Sequence, residues 1–161
     1  MGGRIALEAL LYHNAPFLSL SCLSTTLENP DRKSRQKQEE QWIKKLSTTS
    51  LEEFIKYWYS QPIFNTFTPP KRRFKQNKEN LLKVLKNYSS LKSPPFIEKI
   101  KLCKTPLFFL YRTNDPKAIP IQQLPNTHFI EASSHCIHLE NPSACAKTLE
   151  SIYSALIARL S

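Results

Sequence analysis

Gly2 and Gly3 are the only glycines in this chain of 161 residues. Every turn after residue 3 is therefore built without the residue that enters left-handed backbone at least cost, and Pro, Asn, Asp and Ser must supply the turns. The same scarcity excludes a G-x-G-x-x-G motif or any other phosphate-cradling glycine loop downstream. What remains is one adjacent pair at the head of the stretch "MGGRIALEALLYHN", which runs directly into helical periodicity.

The rest of the composition narrows the class. A hydrophobic content of 40% is enough for a packed core in about one domain. No apolar run approaches the roughly 20 residues of a membrane span, and residues 1–24 lack a cationic segment ahead of an apolar core, so neither a membrane partner nor a signal peptide is expected. Cys22, Cys103, Cys136 and Cys145 have no C-x-x-C or finger spacing and read as idle thiols of a reducing, cytoplasmic setting, with no metal ion or cofactor implied. The net charge of +10 raises nucleic-acid binding, but no helix-turn-helix, RNA-recognition or zinc-finger pattern organises it. The charge fits a solvated face or an acidic small molecule, and nucleic acid is not expected.

Periodicity predicts a helix over 4–13, with Ile5, Ala9 and Leu10 on its apolar face and Ala6 and Leu7 widening it, stopped by Asn14-Ala15-Pro16. Phe17–Leu23 reads as a buried strand. Residues 25–32 form a loop, and helices are expected over 35–46, 51–59 and 80–88, the second opened by a Ser50–Glu53 capping box. A helical turn at 96–102, strands at 106–111 and 127–132, and a strong helix over 144–160 complete the order. The three strands are apolar runs of the kind found in parallel sheets. Between the first two lies a helical excursion, about 30–92, much longer than a crossover needs, and insertions of that kind are often lids.

Two positions carry candidate chemistry. Asp115 follows the second strand and His135 follows the third. Ligands of open α/β sheets bind beyond the carboxyl ends of the strands, so an acid and a histidine on successive strand ends can share one crevice. That is the arrangement in which an Asp orients a His acting as base. The alternatives are a turn-capping Asp115 and an ordinary surface His135. The order nucleophile, Asp, His belongs to α/β-hydrolases, whose serine sits in G-x-S-x-G. Met-Gly-Gly-Arg looks like the second half of such an elbow, with the serine immediately before Met1.

The sequence resembles the 2-succinyl-6-hydroxy-2,4-cyclohexadiene-1-carboxylate synthase family, the α/β-hydrolase-fold lyases of menaquinone biosynthesis, over that family's C-terminal part and nearly all of this chain. "MGGRIALEAL" resembles the helix after the nucleophile. "RQKQEEQWIKKL", "LEEFIKYWYSQPIF" and "RRFKQNKENL" resemble lid segments, "LFFLYRTNDPK" the strand bearing the triad acid, and "SSHCIHLENP" the loop bearing the triad histidine. The resemblance implies the C-terminal portion of an α/β-hydrolase fold: parallel strands, a helical lid at about 30–92, and the N-terminal strands absent from a truncated domain over 1–161. It implies that Asp115 is the acid, His135 the base and Met1 an oxyanion donor. Arg4, Arg35, Trp58 and Arg73 would face an anionic, polycarboxylate substrate. His138 matches a family histidine that is not the base. Arginine suits carboxylates because its planar guanidinium grips them with two parallel hydrogen bonds. The reaction removes pyruvate after proton abstraction, so a serine–histidine pair serves as base without hydrolysis.

Arg112 stands where the family usually has glycine, Thr113 where it has Glu, and Ser133-Ser134 replaces a pair of smaller residues. Without the serine the chain is expected to be inactive alone and to need an N-terminal half as partner. Two further readings stay open: an inactive remnant of a general, esterase-like α/β-hydrolase, and a small basic binding protein.

Overall fold

The computed structural model describes residues 2–28, 31–64, 67–113, 115, 117–118 and 124–158. They form two compact units, one of Met1–Leu27 with Phe96–Ser161 and one of Glu28–Pro95.

The first unit is an α/β layer structure. Helix α1 (Gly2–His13) leads to strand β1 (Leu20–Leu23). Its buried residues are Arg4, Leu7 and Leu10, whereas Ile5 is 52% exposed. Leu7 and Leu10 are thus buried as expected, but Arg4 takes the place expected of Ile5, because the buried residues recur every third position, starting from Arg4. Asn14 ends the helix at φ 52°, a left-handed position that glycine would otherwise take. Ser24 (φ 48°), Asn126 (φ 62°) and Ala132 (φ 49°) fill the other such positions. Polar short side chains therefore do most of the turning, as the lack of glycine requires.

The two glycines differ in role. A Cβ on Gly3 would lie 2.1 Å from Thr25 Oγ1, while one on Gly2 would meet nothing within 4 Å. Neither has positive φ, so Gly3 is needed for close approach, not for a turn.

Four helices of the second unit and its flank intervene before the sheet resumes. They are α2 (Arg32–Thr48), α3 (Leu51–Tyr59), α4 (Lys78–Asn87) and α5 (Ile97–Leu102), the last in the first unit. Strand β2 (Leu107–Arg112) pairs in parallel with β1 on one side and with β3 (Thr127–Ile130) on the other. The order is β1-β2-β3. Helices α6 (Ile137–Glu140) and α7 (Pro142–Ala158) follow.

The central strand explains the two cores. Leu107, Phe109 and Tyr111 point to one face with Leu7, Leu10, Phe96 and Ile100; Phe108 and Leu110 point to the other with Ile130, Ile137 and Ile152. Each such side chain contributes roughly 1.5–3 kcal/mol when buried. Only β2 is enclosed along nearly its full length; β1 and β3 are half-buried. The expected buried run at Phe17 begins only at Leu20, and Leu18 is 93% exposed. On the far face Tyr153 of α7 reaches Ser21, hydroxyl to hydroxyl at 3.0 Å. The expected end of the last helix at Leu160 lies outside the described residues. The four cysteines are free thiols, and burial pushes the Cys22 thiol up to about 12.

The second unit is helical. Asp31 caps α2 by accepting from Ser34 N–H, and Asn77 caps α4 through Asn80 N–H. The expected capping box opens α3: Ser50 Oγ accepts from Glu53 N–H at 3.1 Å and Glu53 Oε2 accepts from Ser50 N–H at 2.9 Å. Trp42, Leu46 and Phe54 are buried together, with Trp58, Leu81, Leu82 and Leu85 packed around them. A 3-10 turn at Lys71–Lys75 carries an exposed basic run.

Candidate active site

In the first unit the carboxyl ends of β2 and β3 carry the predicted acid and base. Arg112 closes β2, and the chain turns at once: Asp115 N–H donates to Arg112 O at 3.1 Å and Ala118 N–H to Asp115 O at 2.9 Å. Asp115 Oδ1 accepts the N–H of Lys117 at 2.9 Å, so the carboxylate helps fold its own turn. Its other oxygen, Oδ2, is buried and has no hydrogen-bond partner among the described residues. Arg112 Nε lies 4.0 Å away, close enough for attraction and too far for a hydrogen bond. Asp115 is 1% exposed, and a carboxylate at that depth with one open oxygen is placed to orient a cationic or N–H partner.

His135 follows β3 on the loop 131–136. Thr113 N–H donates to Ile130 O at 3.1 Å, which carries the ladder to the end of the pair. Ala132 then takes the left-handed turn at φ 49°, and Ser133 and Ser134, which replace the smaller pair, have no positive φ. Ser134 is 1% exposed and donates through Oγ to Glu140 Oε2 at 2.5 Å. The His135 imidazole is half-buried, and burial drives its pKa down to about 3, helped by the nearby charges of Lys117 and Arg112 and by His138. It is a neutral imidazole at physiological pH, the form in which a histidine accepts a proton.

Arg4 is in the same unit. Its Nη1 donates to Leu27 O at 3.2 Å and to Thr26 O, and the guanidinium lies 4.9 Å from the centre of the Phe96 ring. The charge thus fastens α1 to the loop after β1. Tyr111 Oη donates to Thr25 O in the same loop. Met1 lies outside the described residues.

The remaining predicted residues are in the helical unit. Arg35 donates through Nε to Glu39 Oε1 at 2.8 Å and stacks 4.7 Å above Trp42. Burial alone would raise Glu39, but hydrogen bonds from Ser89, Arg35 and Ser90 with the Arg35 charge leave its pKa below the ordinary carboxylate value. Trp58 packs against Trp42 with centroids 4.6 Å apart and against Phe54 and Phe64. Arg73 is exposed on the 3-10 turn. A groove of about 410 Å³ in this unit is lined by Arg32, Lys33, Glu39, Ser89 and Lys92, and not by Arg35, Trp58 or Arg73. No group of His, Cys, Asp and Glu suited to a metal ion occurs among the described residues. No helix among them is long and apolar enough to cross a membrane.

Sequence reasoning missed Glu140 and Asn141. The only signal was their place in the "HLENP" run after the histidine.

No family model matches the chain. A 2-succinyl-6-hydroxy-2,4-cyclohexadiene-1-carboxylate synthase of Enterobacter sp. strain 638 is 28% identical over 163 residues, covering 94% of this chain and 63% of the relative. A Haemophilus influenzae protein carrying a provisional form of the same name is 29% identical over 164 residues, covering 93% and 66%. The chain resembles these synthases over nearly all of its own length, and the partial coverage fits their C-terminal part. It spans a little under two thirds of their length. The fold agrees: the structure of MenH from S. aureus superposes with a TM-score of 0.82 at 22% identity, over 95% of this chain and 65% of that one. The three parallel strands with flanking helices are therefore the C-terminal portion of an α/β-hydrolase fold. Against the synthase pattern Arg112, expected just beyond the strand, proves to be the last residue of β2.

Proposed function

We propose that the chain carries the acid–base part of a lyase that eliminates pyruvate from a polycarboxylate to form 2-succinyl-6-hydroxy-2,4-cyclohexadiene-1-carboxylate. The observation that carries the reading is the placement of Asp115 and His135 beyond the carboxyl ends of adjacent parallel strands, in a chain homologous to those synthases. His135, neutral because it is buried, is the proton acceptor; Asp115 is the group that orients it and balances the imidazolium charge. Asp115 Oδ2 is the oxygen available for that task. Removal of a proton from the substrate sends electrons toward the bond that releases pyruvate, and His135 holds the proton meanwhile.

Arg4, Arg35, Trp58 and Arg73 are the proposed substrate-facing residues, the helical unit serving as lid. Support for an anionic substrate comes from charge: residues 28–95 hold fifteen of the 23 Lys and Arg but seven of the 13 Asp and Glu. An arginine already held by protein acceptors, as Arg4 and Arg35 are, is pre-organised and loses less entropy on taking a carboxylate.

The 161 residues contain no G-x-S-x-G. The nucleophile and its oxyanion donors supply much of the rate in such sites. The chain by itself is accordingly expected to release no pyruvate above background from the polycarboxylate substrate. Turnover by the chain alone that disappears in His135→Ala would overturn this and would mean that another group in these residues serves as nucleophile.

A further inference from the structure

Glu140 is not part of any proposed proton transfer, yet one oxygen of its carboxylate accepts three hydrogen bonds. Oε2 takes the N–H of Ser134 at 2.9 Å, the hydroxyl of Ser134 at 2.5 Å and the N–H of Cys136 at 3.2 Å. These donors lie on the two residues that flank His135. The neighbouring Asn141 ties the start of the same loop, donating through Nδ2 to Glu131 O at 3.0 Å while its Oδ1 accepts Ala144 N–H at 3.2 Å.

Ordinary helix capping does not account for the pattern. Glu140 is the last residue of the four-residue α6 and folds back on the helix's own start, where Cys136 makes no side-chain cap. A cap needs only the Cys136 N–H. The two bonds to Ser134 lie on the other side of His135 and cap nothing. Ile137, fully buried, anchors the following residue in the core. One oxygen atom thereby holds the peptide that follows His135, through Cys136 N–H, and the residue that precedes it, through Ser134 N–H and Oγ, which restrains the direction of the Cα–Cβ bond carrying the imidazole.

We propose that Glu140 is a positioning residue for His135, clamping the backbone on either side of it, with Asn141 holding the loop's entry. The proposal rests on the reading of His135 as the base, but its test does not depend on turnover. In the 161-residue chain, the His135 imidazole is titrated by NMR, and amide exchange is followed at Ser134 and Cys136, for the parent and for Glu140→Ala, Glu140→Gln and Ser134→Ala. In Glu140→Ala, both amides should lose about tenfold or more of their protection, and His135 should titrate at least about one unit higher as the loop opens to water. Glu140→Gln keeps one acceptor and should restore part of both effects, and Ser134→Ala should give a smaller shift in the same direction. If Glu140→Ala does not fold, the other two variants decide by the same readouts. A folded variant with lowered urea midpoint but unchanged His135 titration and unchanged amides would show a merely structural carboxylate and overturn the proposal. Failure of pyruvate release once the chain is joined to a segment carrying a nucleophile would count against the proposed function and leave these readouts where they are.

Discussion

A Cβ added to Gly3 would stand 2.1 Å from Oγ1 of Thr25 and 3.1 Å from its Cβ. Helix α1 thus approaches the loop after β1 more closely than any side chain allows. Gly3→Ala should therefore destabilise the chain by about 1–3 kcal/mol, despite the usual gain of alanine inside a helix. Gly2→Ala, with open space around it, should be neutral or slightly stabilising. Urea melts of the two variants check this, and Thr25→Ala added to Gly3→Ala should recover part of the loss. Equal melts for both single variants would show that the loop yields freely.

The second prediction concerns pH. The His135 pKa lies near 3 in the fold, below the ordinary 6.5 of an exposed histidine. Between those values the unfolded chain binds a proton that the folded chain does not, so stability falls as pH drops below about 6.5 and is complete above it. From about pH 7.5 to about pH 4.5 the loss attributable to this group should be about 1–3 kcal/mol. Comparing urea midpoints of the parent and His135→Gln isolates it: the variant should lose that part of the slope. Parallel slopes for the two proteins would place the imidazole in water.

Arg112 supplies a third. Its guanidinium is 4.0 Å from the open oxygen of Asp115 and is one of the charges that hold His135 neutral. In Arg112→Gly the cation is gone, so His135 should titrate higher than in the parent. The buried carboxylate loses its counter-charge, and the new glycine weakens the strand end, so the melt should also fall by about 1–2 kcal/mol. An NMR titration in which His135 stays or moves down would show that Arg112 does not set its protonation.

How far the sequence anticipates this structure depends on whether a residue's partner is local. "PLFFLY" reads as a buried strand because its side chains are apolar, and β2 is buried over Leu107–Tyr111, ending one residue later at Arg112. Ser50 and Glu53 carry their capping box in their spacing. Asp115 and His135 were legible as an ordered pair on strand ends. Arg4 shows the limit: periodicity assigned the apolar face to Ile5, but a guanidinium can be buried where distant carbonyls of Thr26 and Leu27 and the Phe96 ring receive it. Trp58 and Arg35 stand out in a motif, but the motif does not show that Trp58 packs on Trp42 or that Arg35 pairs with Glu39 inside the helical unit. Glu140 was illegible for the same reason, since its three donors converge only after the chain has turned at Ala132.

The most direct test of His135 as the base joins the N-terminal part of the Enterobacter synthase, up to and including its nucleophile, ahead of this chain, and measures pyruvate release from the polycarboxylate substrate. The account predicts release by the joined protein and a fall of about 10³-fold or more in His135→Ala, with Asp115→Asn also impaired, while circular dichroism of both variants stays that of the parent. A folded, active joined protein whose turnover survives His135→Ala would contradict it.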